Sequence, residues 1–111
     1  MYGEGMLSPF EIDEHVARER QKAREIRNSR WWQNKIANNA ACNYCQKLLK
    51  PATATMDHIV PLIRGGTTTK GNLTIACRDC NQKKAHLTPI EWSDYLESVR
   101  HPKQCSQQKQ D

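Results

Sequence analysis

Two pairs of cysteines constrain this chain more than any other feature: Cys42-Asn43-Tyr44-Cys45 and Cys77-Arg78-Asp79-Cys80. Each C-x-x-C spacing lets two thiolates reach one ion at about 2.3 Å without strain, and two pairs complete a tetrahedral set. A thioredoxin-like redox motif needs only one pair, in a strand-helix-strand setting, and disulfides need an oxidising compartment. The opening Met1-Tyr2-Gly3-Glu4-Gly5 has neither the basic nor the apolar region of a signal peptide, so a reducing cytoplasm is expected. The spacing therefore predicts a structural Zn²⁺, closed to water because all four positions are filled by sulfur. The chain needs such a staple. It has 111 residues, 37% of them hydrophobic, with one Phe, three Trp and three Tyr, enough for only a small core. The fifth cysteine, Cys105, stands alone and is not a ligand by spacing.

Charge is distributed unevenly. The net charge is +5, yet residues 1–15 carry four acids and no Lys or Arg, whereas residues 16–35 carry seven bases against two acids. A positive balance of this kind points to a polyanionic partner. No stretch approaches the roughly 18 to 20 apolar residues that span a bilayer, so a soluble chain without a membrane partner is expected. Ser8-Pro9-Phe10-Glu11 reads as a helix start, with a capping hydroxyl, Pro at the first position and Glu at the third. From Val16 to Trp32 there is neither Gly nor Pro, which predicts one helix running into Trp31-Trp32, with Asn38-Asn39 as the break. Arg20, Arg24, Arg27 and Trp31 share a face of that helix, and Ile12, Val16, Ala23 and Ile26 form a thin apolar stripe. Such a charge run is either a solvated surface laced with Glu–Arg pairs or a face for phosphate. Trp31 and Trp32 are read chiefly as packing residues, with stacking on a nucleobase as the other role.

Between the cysteine pairs, Thr53-Ala54-Thr55-Met56-Asp57-His58-Ile59-Val60-Pro61 has strand composition, and Arg64 to Asn72 is a glycine-punctuated loop. Leu73-Thr74-Ile75-Ala76 reads as a second strand and Cys80 to His86 as the start of a helix. This order, carrying C-x-x-C, Asp57-His58-Ile59-Val60-Pro61, Gly65-Gly66, Asn72-Leu73, Cys77-x-x-Cys80-Asn81 and Lys84, resembles the HNH endonucleases with their ββα-metal core. The resemblance covers residues 42 to about 86. The fold it implies is α+β: a small ββα-metal core with a four-cysteine zinc site, flanked by an N-terminal basic helix and a C-terminal helix. Thr88-Pro89-Ile90-Glu91 opens that last helix with another capping box, and Ile90, Trp92, Tyr95, Leu96 and Val99 give it an apolar side.

The resemblance also implies roles. His58 matches the family's catalytic His, and an imidazole near pKa 6.5 is the natural general base at neutral pH. Asp57 and Asn81 match the ligands of a catalytic divalent ion. Both offer hard oxygen donors, and an amide where the family name has a second His tilts the expected cofactor toward Mg²⁺ or Mn²⁺. Adjacent strand residues point to opposite faces, so Asp57 and His58 can share a site only if the strand ends or bends there. Asn72 matches the family's middle Asn, which braces the loop and orients the His. His86 is open between a metal ligand, a phosphate contact and a turn cap, while His15 and His101 fall outside the motif and are expected to be exposed. Arg20, Arg24, Arg27, Arg30, Arg64, Arg78, Lys83 and Lys84 are the candidate phosphate contacts, with solvated surface charge as the alternative.

Three readings of function follow. The first is a metal-dependent DNA endonuclease, which in the family leaves a 3′-hydroxyl and a 5′-phosphate. It would act as a monomer or weak dimer, in a bacterial or phage-encoded setting. The second keeps the zinc module and the DNA contact without chemistry, and the third is a zinc-organised protein-interaction domain. Asp57, His58 and Asn81 together have a purpose only in the first. The expected organisation is a helical extension over 1–38, the nuclease domain over 39–101 and a polar, disordered tail over 102–111.

Overall fold

The computed structural model describes residues 7–38 and 40–100. The tail beyond residue 100, with His101 and Cys105, lies outside the described residues, as does Asn39. Helix α1 spans Pro9–Arg27 and starts as its sequence predicts. The Ser8 N–H donates to Glu11 Oε1 at 2.9 Å while the Ser8 hydroxyl accepts from the Glu11 N–H at 3.2 Å. The expected single helix is instead two. The chain breaks at Asn28-Ser29 and restarts as α2, Arg30–Ala37. Ser29 is the physical reason: its backbone is extended, its hydroxyl donates to Ile26 O at 2.6 Å, and its Oγ accepts from Trp32 N at 3.3 Å. A short polar side chain thus ends one helix and caps the next. The turn carries Trp32 and Ile36 into the core, and Trp31 lies beneath the ammonium groups of Lys35 and Lys70, each 5.3 Å from the ring centroid.

After the first cysteine pair, Gln46 takes a left-handed conformation at φ 67°, and the chain doubles back so that Ala41 bridges Leu48. Strand β1, Ala54–His58, pairs antiparallel with β2, Leu73–Cys77, in the register Ala54 opposite Cys77 and His58 opposite Leu73. Helix α3 spans Arg78–Lys84 and so begins before Cys80, three residues before Asn81. Cys77 is the cap that sets this start, its sulfur accepting from the Cys80 N–H at 3.3 Å. Helix α4, Pro89–Arg100, opens with the expected reciprocal bonds between Thr88 and Glu91. Its buried contact is narrower than the pattern suggested. Trp92 is buried between Tyr44 and Tyr95 and Leu96 is half-buried, whereas Ile90 and Val99 face solvent. The result is a mixed architecture of helices around a two-stranded sheet, as expected. Among the described residues no helix is long and apolar enough to cross a membrane.

The loop joining the strands is held against α1. His15 is half-buried, correcting the expectation of exposure, and its Nε2 donates to Gly66 O at 2.7 Å. A Cβ on Gly66 would lie 1.8 Å from Val60 O, a backbone atom that cannot step aside. Gly66→Ala is therefore expected to destabilise the fold by about 1–3 kcal/mol, read as a lower urea midpoint with an unchanged slope. An unchanged midpoint would show that the loop relaxes freely.

Candidate active site

The strand-end argument for Asp57 and His58 is met by the geometry. β1 pairing stops at His58, the next N–H, that of Ile59, donates to Asn72 O at 2.9 Å, and both side chains line one cleft of about 290 Å³. α1 lines the same cleft with Arg20, Arg24 and Arg27, α3 contributes Asn81, and His86 lines it as well. Val16 and Ala23 of the apolar stripe line the same cleft, so the basic and apolar faces of α1 adjoin.

Asp57 is buried, and its Oδ2 accepts from the Tyr44 hydroxyl at 2.5 Å and faces Lys84 Nζ at 3.4 Å. Burial, then the Asp57 carboxylate, push the Tyr44 phenol well above its usual range, so Tyr44 is a fixed donor. Lys84 also donates to His58 O at 3.0 Å with its side chain 1% exposed. Its expected contact with phosphate is therefore corrected: Lys84 points inward and locks the end of β1.

Asn81 sits with its amide orientation fixed. The Thr55 hydroxyl gives its single proton to Ala76 O at 2.7 Å, so Thr55 Oγ1 can only accept from Asn81 Nδ2 at 2.8 Å. Nδ2 also reaches Met56 O at 3.3 Å, leaving Oδ1 without a protein donor among the described residues. The cleft thus presents one carboxylate and one free amide oxygen. Asn72 braces the loop through three bonds: Oδ1 accepts from Val60 N at 2.8 Å, and Nδ2 donates to Val60 O and Thr67 O. His58 is half-buried, and desolvation holds its imidazole below the usual pKa, so it is neutral at pH 7 and able to accept a proton. Its Nε2 lies 3.0 Å from Thr68 Oγ1.

The remaining basic candidates are not gathered at the cleft. Arg64 forms a two-pronged pair with Glu91 at 2.9 and 3.3 Å, and Lys83 pairs with Asp79 at 3.1 Å. Arg78 borders a separate depression with Lys47 and Asp79, and Arg30 is exposed at the start of α2.

The four sulfurs of Cys42, Cys45, Cys77 and Cys80 lie within 4.8 Å of one another, with Cys45 and Cys77 3.9 Å apart. A tetrahedron of bonds about 2.3 Å long has edges of about 3.8 Å, so the donor set fits one Zn²⁺. None of the four is in a disulfide. Burial pushes the Cys42 thiol up, but N–H donors led by Cys45 outweigh it and bring it down to about 7. Burial and the neighbouring sulfurs push the Cys80 thiol up. Four thiolates this close repel one another unless a cation sits among them.

Sequence reading missed Tyr44, Thr55, Thr68 and Glu19. Glu19 was detectable, because it completes the spacing of Ile12, Val16, Ala23 and Ile26 and so places a carboxylate on the buried stripe of α1.

Residues 42–96 match a family described as HNH endonuclease. A 63-residue stretch is 35% identical to the CRISPR-associated endonuclease Cas9 of Corynebacterium diphtheriae, covering 56% of this chain and 6% of that protein.

Proposed function

With residues 42–96 belonging to the HNH endonuclease family, we propose that this chain is a divalent-metal-dependent DNA endonuclease that hydrolyses phosphodiester bonds. The observation that carries the reading is the meeting of His58, Asp57 and the free Oδ1 of Asn81 in one cleft walled by three arginines. Residues 1–38 then serve as a basic helical extension and residues 39–101 as the nuclease domain.

Asp57 and Asn81 would hold Mg²⁺ or Mn²⁺, since a carboxylate and an amide oxygen are hard donors suited to such ions. When bound, the ion neutralises the charge that develops on the phosphate and the leaving oxygen. Tyr44 and Lys84 occupy Oδ2 of Asp57 and so direct the carboxylate. The neutral imidazole of His58 takes a proton from the attacking water. Arg20, Arg24 and Arg27 grip the phosphates flanking the scissile bond and position the strand without reading its bases. The zinc site beneath is structural, and hydrolysis leaves a 3′-hydroxyl and a 5′-phosphate. One site per chain nicks one strand in each encounter.

Supercoiled plasmid incubated with the zinc-loaded protein tests this. Nicked circles are expected with Mg²⁺ or Mn²⁺ and intact plasmid with EDTA. Plasmid retarded on a gel but uncut under all three conditions would replace this reading with a DNA-binding module. The arginine wall has its own test. Each phosphate neutralised contributes a slope of about −0.9 to log K against log salt, so replacing Arg20, Arg24 and Arg27 with Gln should make that slope shallower by about 2 to 3. A slope equal to wild type would remove α1 from the interface.

A further inference from the structure

A carboxylate buried on the inner face of a strongly basic helix needs an explanation, and Glu19 of α1 is one, 4% exposed in a chain with little core to spare. Its Oε1 accepts from the Thr68 N–H at 2.6 Å and its backbone oxygen accepts from the Thr68 hydroxyl at 2.8 Å. Lys22, on its own helix, reaches Oε2 at 3.0 Å, but that lysine is largely in solvent. Packing α1 on the loop would be served better by an apolar residue, since a buried acid costs desolvation that a single exposed lysine offsets poorly. Thr68, 6% exposed, links Glu19 to His58, whose Nε2 stands 3.0 Å from Thr68 Oγ1.

Counting protons along this chain of contacts fixes the state of the imidazole. A threonine hydroxyl has one hydrogen, and a carbonyl oxygen can only accept. The Thr68 hydrogen therefore lies on the bond to Glu19 O, and the side of Oγ1 facing His58 is a lone pair. His58 must then donate from Nε2, so that in the neutral ring the other nitrogen is bare and, among the described residues, without a protein partner. The Glu19 carboxylate enforces this by holding the Thr68 N–H, while the backbone oxygen of the same residue accepts the hydroxyl hydrogen bond. We propose that Glu19 and Thr68 are positioning residues that hold His58 as the Nε2–H tautomer, so that Nδ1 is the basic atom offered to the cleft. The catalytic meaning rests on the endonuclease reading, and the tautomer itself does not. The inference also makes α1, which precedes the family-matched residues 42–96, part of the catalytic apparatus in addition to a grip on phosphate.

The test combines long-range ¹H–¹⁵N spectra of the His58 ring, in zinc-loaded protein without added Mg²⁺ or Mn²⁺, with plasmid-nicking kinetics. Wild type should show a protonated Nε2 and a bare Nδ1. In Thr68→Val, which keeps the backbone N–H but loses the hydroxyl, that single pattern should give way to a mixture of tautomers. Its kcat should fall about 10- to 100-fold with KM for plasmid within about twofold. Thr68→Ser restores the hydroxyl and should return kcat to within about threefold of wild type. A proton on Nδ1 in wild type overturns the proposal even if the valine variant does not fold. So does a folded valine variant that cuts at the wild-type rate or keeps the Nε2–H pattern. A wild-type protein that shows the Nε2–H pattern yet cuts no DNA supports the positioning pair and overturns the endonuclease reading instead.

Discussion

Removing the metal from the four-cysteine centre is expected to unfold the protein. The sulfurs join the turn at Cys42 to the end of β2 and the first turn of α3, so a metal held among them would tie both ends of the HNH segment's framework. Structural zinc binding contributes about 10–16 kcal/mol in small zinc domains, against about 5–15 kcal/mol of net stability for a typical native protein. Nothing in a core of this size replaces such a contribution. Excess chelator strong enough to compete for zinc, or Cys80→Ser, should abolish the cooperative thermal transition, and readdition of Zn²⁺ should restore it only in the wild type. Acid should act in the same direction, because the thiols must give up protons to bind metal and reclaim them as pH falls. Circular dichroism with a colorimetric count of released zinc would follow both. Helical signal and a sharp transition surviving complete zinc loss would show that the fold stands on its apolar contacts alone.

The second large effect is chemical. His58→Ala should lower the nicking rate by about 10²- to 10⁴-fold, the range that a positioned general base contributes. Retention of plasmid on a gel should be unchanged, because Arg20, Arg24 and Arg27 reach the cleft from α1 and do not depend on the imidazole. The side chain is half-buried and its hydrogen-bond partner among the described residues is Thr68, so the variant should fold and bind zinc as wild type does. A folded variant that nicks at the wild-type rate would remove His58 from the chemistry while leaving the zinc centre untouched.

Local signals in the sequence carried much of this structure. The caps at Ser8 and Thr88, both strands and both cysteine pairs are each written within a few residues, where side chain and backbone interact without help from the rest of the chain. The break at Ser29 was equally local, but a serine within a helix-forming run is ambiguous until the burial of Trp32 and Ile36 decides for a cap. What could not be read is long-range. Lys84 has the spacing of a surface base, and only its meeting with Asp57 and the carbonyl of His58 shows that it faces inward. Arg64 looked free until Glu91 appeared beside it across 27 residues. Thr68 is one of three consecutive threonines, indistinguishable in sequence, and its link to Glu19 spans 49 residues.

If the chain is the nuclease proposed above, the position of α1 has a consequence for how it could be rebuilt. On the proposed reading, the grip on phosphate lies in arginines before residue 28 and the metal and proton chemistry after residue 41, with Glu19 of α1 the link between the two. A transplanted helix with a different arrangement of arginines would retune how tightly, and at what salt concentration, the same chemistry engages its substrate. On the same reading the graft must keep Glu19, because its carboxylate seats Thr68 beside the imidazole and a helix without it would grip phosphate with that ring unaimed.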